Sequence, residues 1–64
     1  MSPSDYMREA LALLDEQQRE VLVLRYLEGL RLNEVAEVMG TSVASTKMRH
    51  MRAIRRLREI LHSP

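Results

Sequence analysis

"LNEVAEVMGTSVASTKMRHM", residues 32–51, decides the fold. Leu32, Val35, Ala36 and Met39 recur at helical spacing, so residues 32–39 form a short helix with one apolar side. Gly40 ends it, because glycine reaches positive φ without a steric penalty. Ser42 is then an N-cap for a new helix beginning at Val43. At steps of about 100° per residue, Val43, Thr46, His50, Ala53, Ile54, Leu57 and Leu61 share one side of that helix. Ala44, Met48, Arg52, Arg55 and Glu59 share the opposite side, with Met51 at its edge. A short helix, a break around a glycine and a longer basic helix form a helix-turn-helix pattern. The small Ala36 allows the two helices to approach closely, and the first half of the second helix can enter a major groove.

Two further helices lie upstream. Ser4 is the expected cap of a first helix, about 5–14, with Leu11 and Leu14 on one face. Asp15 with Gln18 three residues on reads as a capping box. The second helix runs from about 16 to 28, with Val21, Leu24 and Leu27 at helical spacing and Leu22 and Tyr26 flanking. Gly29 is its natural stop. With the helices at 32–39 and 43–62, residues 1–64 make a single all-α domain, four helices ending in a helix-turn-helix. Ser63 and Pro64 read as a frayed end.

The totals limit the function classes. A 64-residue chain buries only about 60% of the surface it exposes when unfolded. It has no cysteine, so no disulfide or thiolate metal site is available. No apolar run approaches a membrane span, and no leader pattern precedes the helices; the expected location is the cytoplasm. The net charge of +1 conceals an asymmetry. Residues 1–40 carry four arginines against eight carboxylates, while residues 41–64 carry six cations against Glu59 alone. Concentrated basic charge on one helix is the footprint of a polyanion-binding element. A merely solvated basic face is the competing reading.

"QREVLVLRYLEGLRLNEVAEVMGTSVASTKMRHMRAIRRLREIL", residues 18–61, resembles region 4 of bacterial RNA polymerase sigma factors, especially the small extracytoplasmic-function group. The resemblance rests on "REVL-LRYLEGL", "EVAEVMG", the "TS" cap, "TK-R" and "RAIRRLREIL", and extends from about Leu11 to Leu61. It implies a domain that reads the minus-35 promoter element with its last helix, docks on the β-subunit flap of RNA polymerase and serves as a target of anti-sigma factors. It implies no catalytic activity and no cofactor. Response-regulator output domains share "REVL", "EVA" and "S--ST-K", and are the alternative within the same class.

Three positions depart from the family pattern. Thr46 and His50 stand where the family usually has apolar residues. Thr46 can bond a carbonyl one turn earlier and still pack its methyl. His50 reads as a satisfied, half-buried histidine, with pH sensing as the alternative. Arg31 replaces a Ser or Thr cap; it cannot accept a backbone N–H, but it can reach a phosphate.

The expected DNA contacts follow from these positions. Ser42 and the free N–H groups beside it suit a phosphate. The resemblance places Val43, Ala44, Lys47 and Met48 at base-reading positions. Lys47 can donate to guanine, Ser45 is a weaker reader, and the three apolar residues offer only thymine-methyl contacts. Arg31, Arg49, Arg52 and Arg55 would hold the backbone without reading sequence. A different class of reading takes Ala44, Met48 and Met51 as a patch for a protein partner, since methionine adapts to irregular surfaces. Leu22, Leu30 and Leu32 are candidates for the polymerase contact. His50 and His62 are twelve residues apart and do not suggest a metal site. Ser42 or Ser45 with His50 on one helix does not suggest a catalytic triad.

Overall fold

Four helical segments follow one another in the computed structural model, which describes residues 2–62. Met1, Ser63 and Pro64, including the expected frayed end, lie outside the described residues. Helix α1 spans Pro3–Ala12, α2 spans Glu16–Leu22 and continues as a π turn over Val23–Leu27, α3 spans Leu32–Met39, and α4 spans Val43–Leu61. No strand occurs among the described residues.

The helix starts show local chemistry at work. Helix α1 is capped by Ser2 rather than Ser4: the Ser2 hydroxyl accepts from the Asp5 N–H at 3.2 Å, and Pro3 occupies the first helical position. A proline there loses no hydrogen bond, because that N–H has no intrahelical acceptor. Asp15 and Gln18 form the expected capping box, with bonds of 2.8 and 3.4 Å. Helix α3 solves the missing cap at Arg31 in another way. The Glu34 carboxylate reaches back and accepts from the Arg31 N–H at 2.8 Å. Glu34 thus caps the start of α3.

Helix α4 is the spine. Its 19 residues lie against α2 and α3, with a lighter contact to α1. The buried set is Ala10, Leu14, Val21, Leu22, Val35, Ala36 and Ala53, with Thr46 as the buried polar residue. Leu11, Ile54, Leu57 and Ile60 pack around the Leu14–Leu22–Ala53 cluster. The small Ala36 and Ala53 are both buried. Thr46 is satisfied as its sequence position suggested: its Oγ1 donates to the Ser42 carbonyl at 2.8 Å.

The second helix departs from a regular α period. The Glu28 N–H donates to the Val23 carbonyl at 3.0 Å, five residues back instead of four. The extra residue in this wide turn shifts all that follows. Val21 and Leu22 are buried, whereas Leu27, expected on the apolar face with Val21, is 72% exposed. Val43, placed on the inner stripe of α4 by its spacing, is 42% exposed. It is the first residue of the helix.

Candidate nucleic-acid interface

Helix α4 begins with a capped and open N-terminus. The Ser42 hydroxyl accepts from the Ser45 N–H at 3.0 Å, and the Thr46 N–H donates to the Ser42 carbonyl at 2.9 Å. The N–H groups of Val43 and Ala44 have no intrahelical acceptor at this position. Ser42 retains its own hydroxyl proton to donate. Gly40, at φ 66°, turns the chain between α3 and α4, and the Thr41 N–H closes the turn on the Ala36 carbonyl at 3.0 Å.

The outer side of α4 carries the charge. Ala44, Ser45, Lys47, Met48, Arg52 and Arg55 are exposed, and Arg49 is half-buried. Arg31 is exposed at the start of α3. Among the described residues the ion pairs are Arg8–Asp5 at 4.0 Å and Arg56–Glu59 at 3.6 Å. Lys47, Arg49, Arg52 and Arg55 thus have no described carboxylate partner, while Arg56 has one. Unpaired cations on one helix retain their full attraction for phosphate. Met48 and Met51, 47% and 56% exposed, lie between them. The ten residues singled out from sequence fall on α4, its cap and the start of α3, and all lie at the surface apart from the half-buried Arg49.

His50 is half-buried on the inner side of α4, as its spacing suggested, but its partner was not anticipated. The His50 Nε2 lies 2.7 Å from the Tyr26 hydroxyl. The two rings stack at 5.6 Å between centroids, and the Arg25 guanidinium lies 5.5 Å from the Tyr26 ring centre. Burial first, and the neighbouring Arg25 charge second, hold the imidazole below its usual pKa. Tyr26 reaches α4 from the π turn, which regular helical spacing does not reveal. A second feature is an apolar groove of about 410 Å³ on the other side of α4, lined by Met7, Leu11, Leu22, Tyr26, Leu27, Ile54 and Leu57. Of the expected polymerase-contact residues, Leu22 lies at its buried floor, while Leu30 and Leu32 are half-buried outside it. No group of His, Asp and Glu side chains converges in a metal-binding arrangement among the described residues.

Comparison with known proteins places this arrangement. A family model described as sigma-70, region 4 matches residues 4–57. The chain belongs to that family. It is 41% identical over 69 aligned residues to the ECF RNA polymerase sigma factor BldN of Streptomyces coelicolor, a match covering 94% of this chain and 26% of BldN. It is 36% identical over 53 residues to the ECF sigma factor SigD of Mycobacterium tuberculosis, covering 83% of this chain and 25% of SigD. The region 4 domain described here thus spans about a quarter of the length of these relatives. A chain in a solved structure of an RsbN–BldN complex superposes with a TM-score of 0.85 at 35% identity, over 89% of this chain and 41% of that one. The match to sigma factors decides against the response-regulator output domain. No described helix is long and apolar enough to cross a membrane.

Proposed function

We propose that this region 4 domain recognises the minus-35 promoter element with α4 and docks on the β flap of RNA polymerase through the apolar groove, in the cytoplasm. The observation that carries the DNA reading is the set of unpaired cations, Lys47, Arg49, Arg52 and Arg55, around the open start of α4. Base reading falls mainly to Lys47, with Ser45 second; Val43, Ala44 and Met48 supply apolar contacts to thymine methyls. Ser42 and Arg31 hold phosphates at the two helix starts. With so few base-reading donors, the isolated domain discriminates weakly between sequences. The docking in the groove supplies effective concentration at the promoter.

Fluorescence anisotropy with a short duplex tests the DNA reading. Four phosphate contacts give a slope of about −3.6 in log affinity against log salt, so affinity falls about a hundredfold between 50 and 200 mM. Affinity that does not change with salt excludes a phosphate-binding face.

A protein partner on the Ala44–Met48–Met51 face, such as an anti-sigma factor, is a second reading. It is favoured by the relative BldN having been solved in complex with RsbN. A partner lying on that face competes with DNA for it.

A further inference from the structure

Two side-chain hydrogen bonds link distant parts of the described chain, and both come from tyrosines and end on α4. The Tyr6 hydroxyl donates to the Leu61 carbonyl at 3.3 Å, and the Tyr26 hydroxyl meets His50 Nε2 at 2.7 Å. The other side-chain bonds join residues five or fewer apart. The core beneath α4 around Leu14, Leu22 and Ala53 is apolar. Such packing, with Thr46 and Ala53 both fully buried, sets the coarse rotation of α4, and a directional hydrogen bond adds the fine angle. That rotation matters for reading. A side-chain head about 6 Å from a helix axis moves by about 1 Å for each 10° of turn, and a site loses function when it is displaced by about that much.

We infer that the Tyr26–His50 hydrogen bond is the positioning contact that sets the rotation of α4, and so fixes where Lys47 and Ser45 fall against the bases. This rests on α4 being the DNA-reading helix. His50 lies on the inner side of α4, between the buried Thr46 and the buried Ala53. It is three residues after Lys47, so a tie at His50 controls Lys47 almost directly. On the other side, Tyr26 is held by its own surroundings. Arg25 lies against its ring, and Arg25 Nη1 donates to the Leu30 carbonyl at 3.2 Å. The π turn is what brings Tyr26 to this place: one residue fewer in that turn would carry its hydroxyl about 100° away. Neither residue is among the ten expected DNA contacts. Both are positioning residues that act through Lys47.

The test uses Tyr26→Phe, His50→Leu and His50→Gln at a temperature where every variant is fully folded. Glutamine keeps a polar atom near the place of Nε2. Tyr26→Phe and His50→Leu are each expected to weaken binding to a promoter-like duplex by about two- to tenfold, the range of a single hydrogen bond. His50→Gln is expected to restore most of the loss, and the Tyr26→Phe/His50→Leu double variant to be no worse than either single one. Wild-type affinity in Tyr26→Phe, or multiplied losses in the double variant, would overturn the inference. Residual dipolar couplings of the free protein give a readout independent of DNA. A rotation of α4 relative to α3 by about 10° is expected in Tyr26→Phe, and unchanged couplings overturn the inference. If the wild type binds no duplex, the DNA reading itself has failed, and the couplings still decide whether the pair positions α4.

Discussion

The chain has two helices that end at a glycine, and they reach it differently. Ahead of Gly40, α3 keeps a regular α ladder, and the Thr41 N–H closes on the Ala36 carbonyl at 3.0 Å. Ahead of Gly29 the closing bond spans one residue more, Leu30 N–H to Leu24 carbonyl at 3.0 Å, and the ladder before it has widened to Glu28 N–H and Val23 carbonyl. The glycines themselves are alike, at φ 74° and 66°. The difference lies in one extra residue absorbed within a turn. At Gly40 the regular ending aims α4 outward with its basic side free. At Gly29 the widened turn moves Leu27 out of the core and aims Tyr26 at His50. The first ending builds the helix proposed to read DNA, and the second braces it.

The largest effect separates the two sides of the π turn. Val21 is fully buried, and Val21→Ala should cost about 1–3 kcal/mol. That is a large share of the about 3–10 kcal/mol expected of a domain this size. Leu27→Ala should cost about 0.5 kcal/mol or less, because Leu27 is mostly exposed. Urea unfolding of the two variants measures both. Equal losses would restore a regular α period and remove the π turn from the account.

The glycines give an intermediate effect and sharpen the similarity. A Cβ at either position meets nothing within 4 Å, so only the left-handed backbone opposes alanine. Gly29→Ala and Gly40→Ala should therefore lose similar stability, about 1–2 kcal/mol each. A much larger loss at Gly29 would mean that the wide turn depends on that glycine in a way the regular helix end does not.

The smallest effect is set by pH. The folded state holds His50 below its usual pKa through burial and Arg25, so the unfolded chain binds the proton more readily. Stability from this group is fully present above about pH 6.5 and is lost as pH falls from there through the lowered folded value. Thermal melts between pH 5 and 8 should show that decline, and His50→Gln should flatten this part of the profile.

How much of this was legible from residue types depended on how local the cause was. The helix-turn-helix could be read because each of its signals is short-range: the apolar spacing of Leu32, Val35, Ala36 and Met39, the stop at Gly40 and the cap at Ser42. The charge of α4 was legible for the same reason, although only the fold shows that Arg56 is paired and that Arg52 has no carboxylate partner among the described residues. The π turn was not legible, because Val23–Leu27 has no residue that forces it, and a regular helix would have put Leu27 beside Val21. The Tyr26–His50 contact depends on that turn, so it was hidden as well. The polar character of His50 at an inner position was its only trace. The cap at Arg31 could have been found, since glutamate three residues into a helix is a known partner for the cap N–H.

The central claim is that the outer side of α4 reads promoter DNA. An NMR titration of the 64-residue chain with a promoter-like duplex and a scrambled one tests it most directly. The account predicts shifts concentrated in residues 42–55 and at Arg31, somewhat larger for the promoter-like duplex and lost as salt rises. Folded protein with no shifts for either duplex, or with shifts confined to the Met7–Leu27 groove, would contradict it.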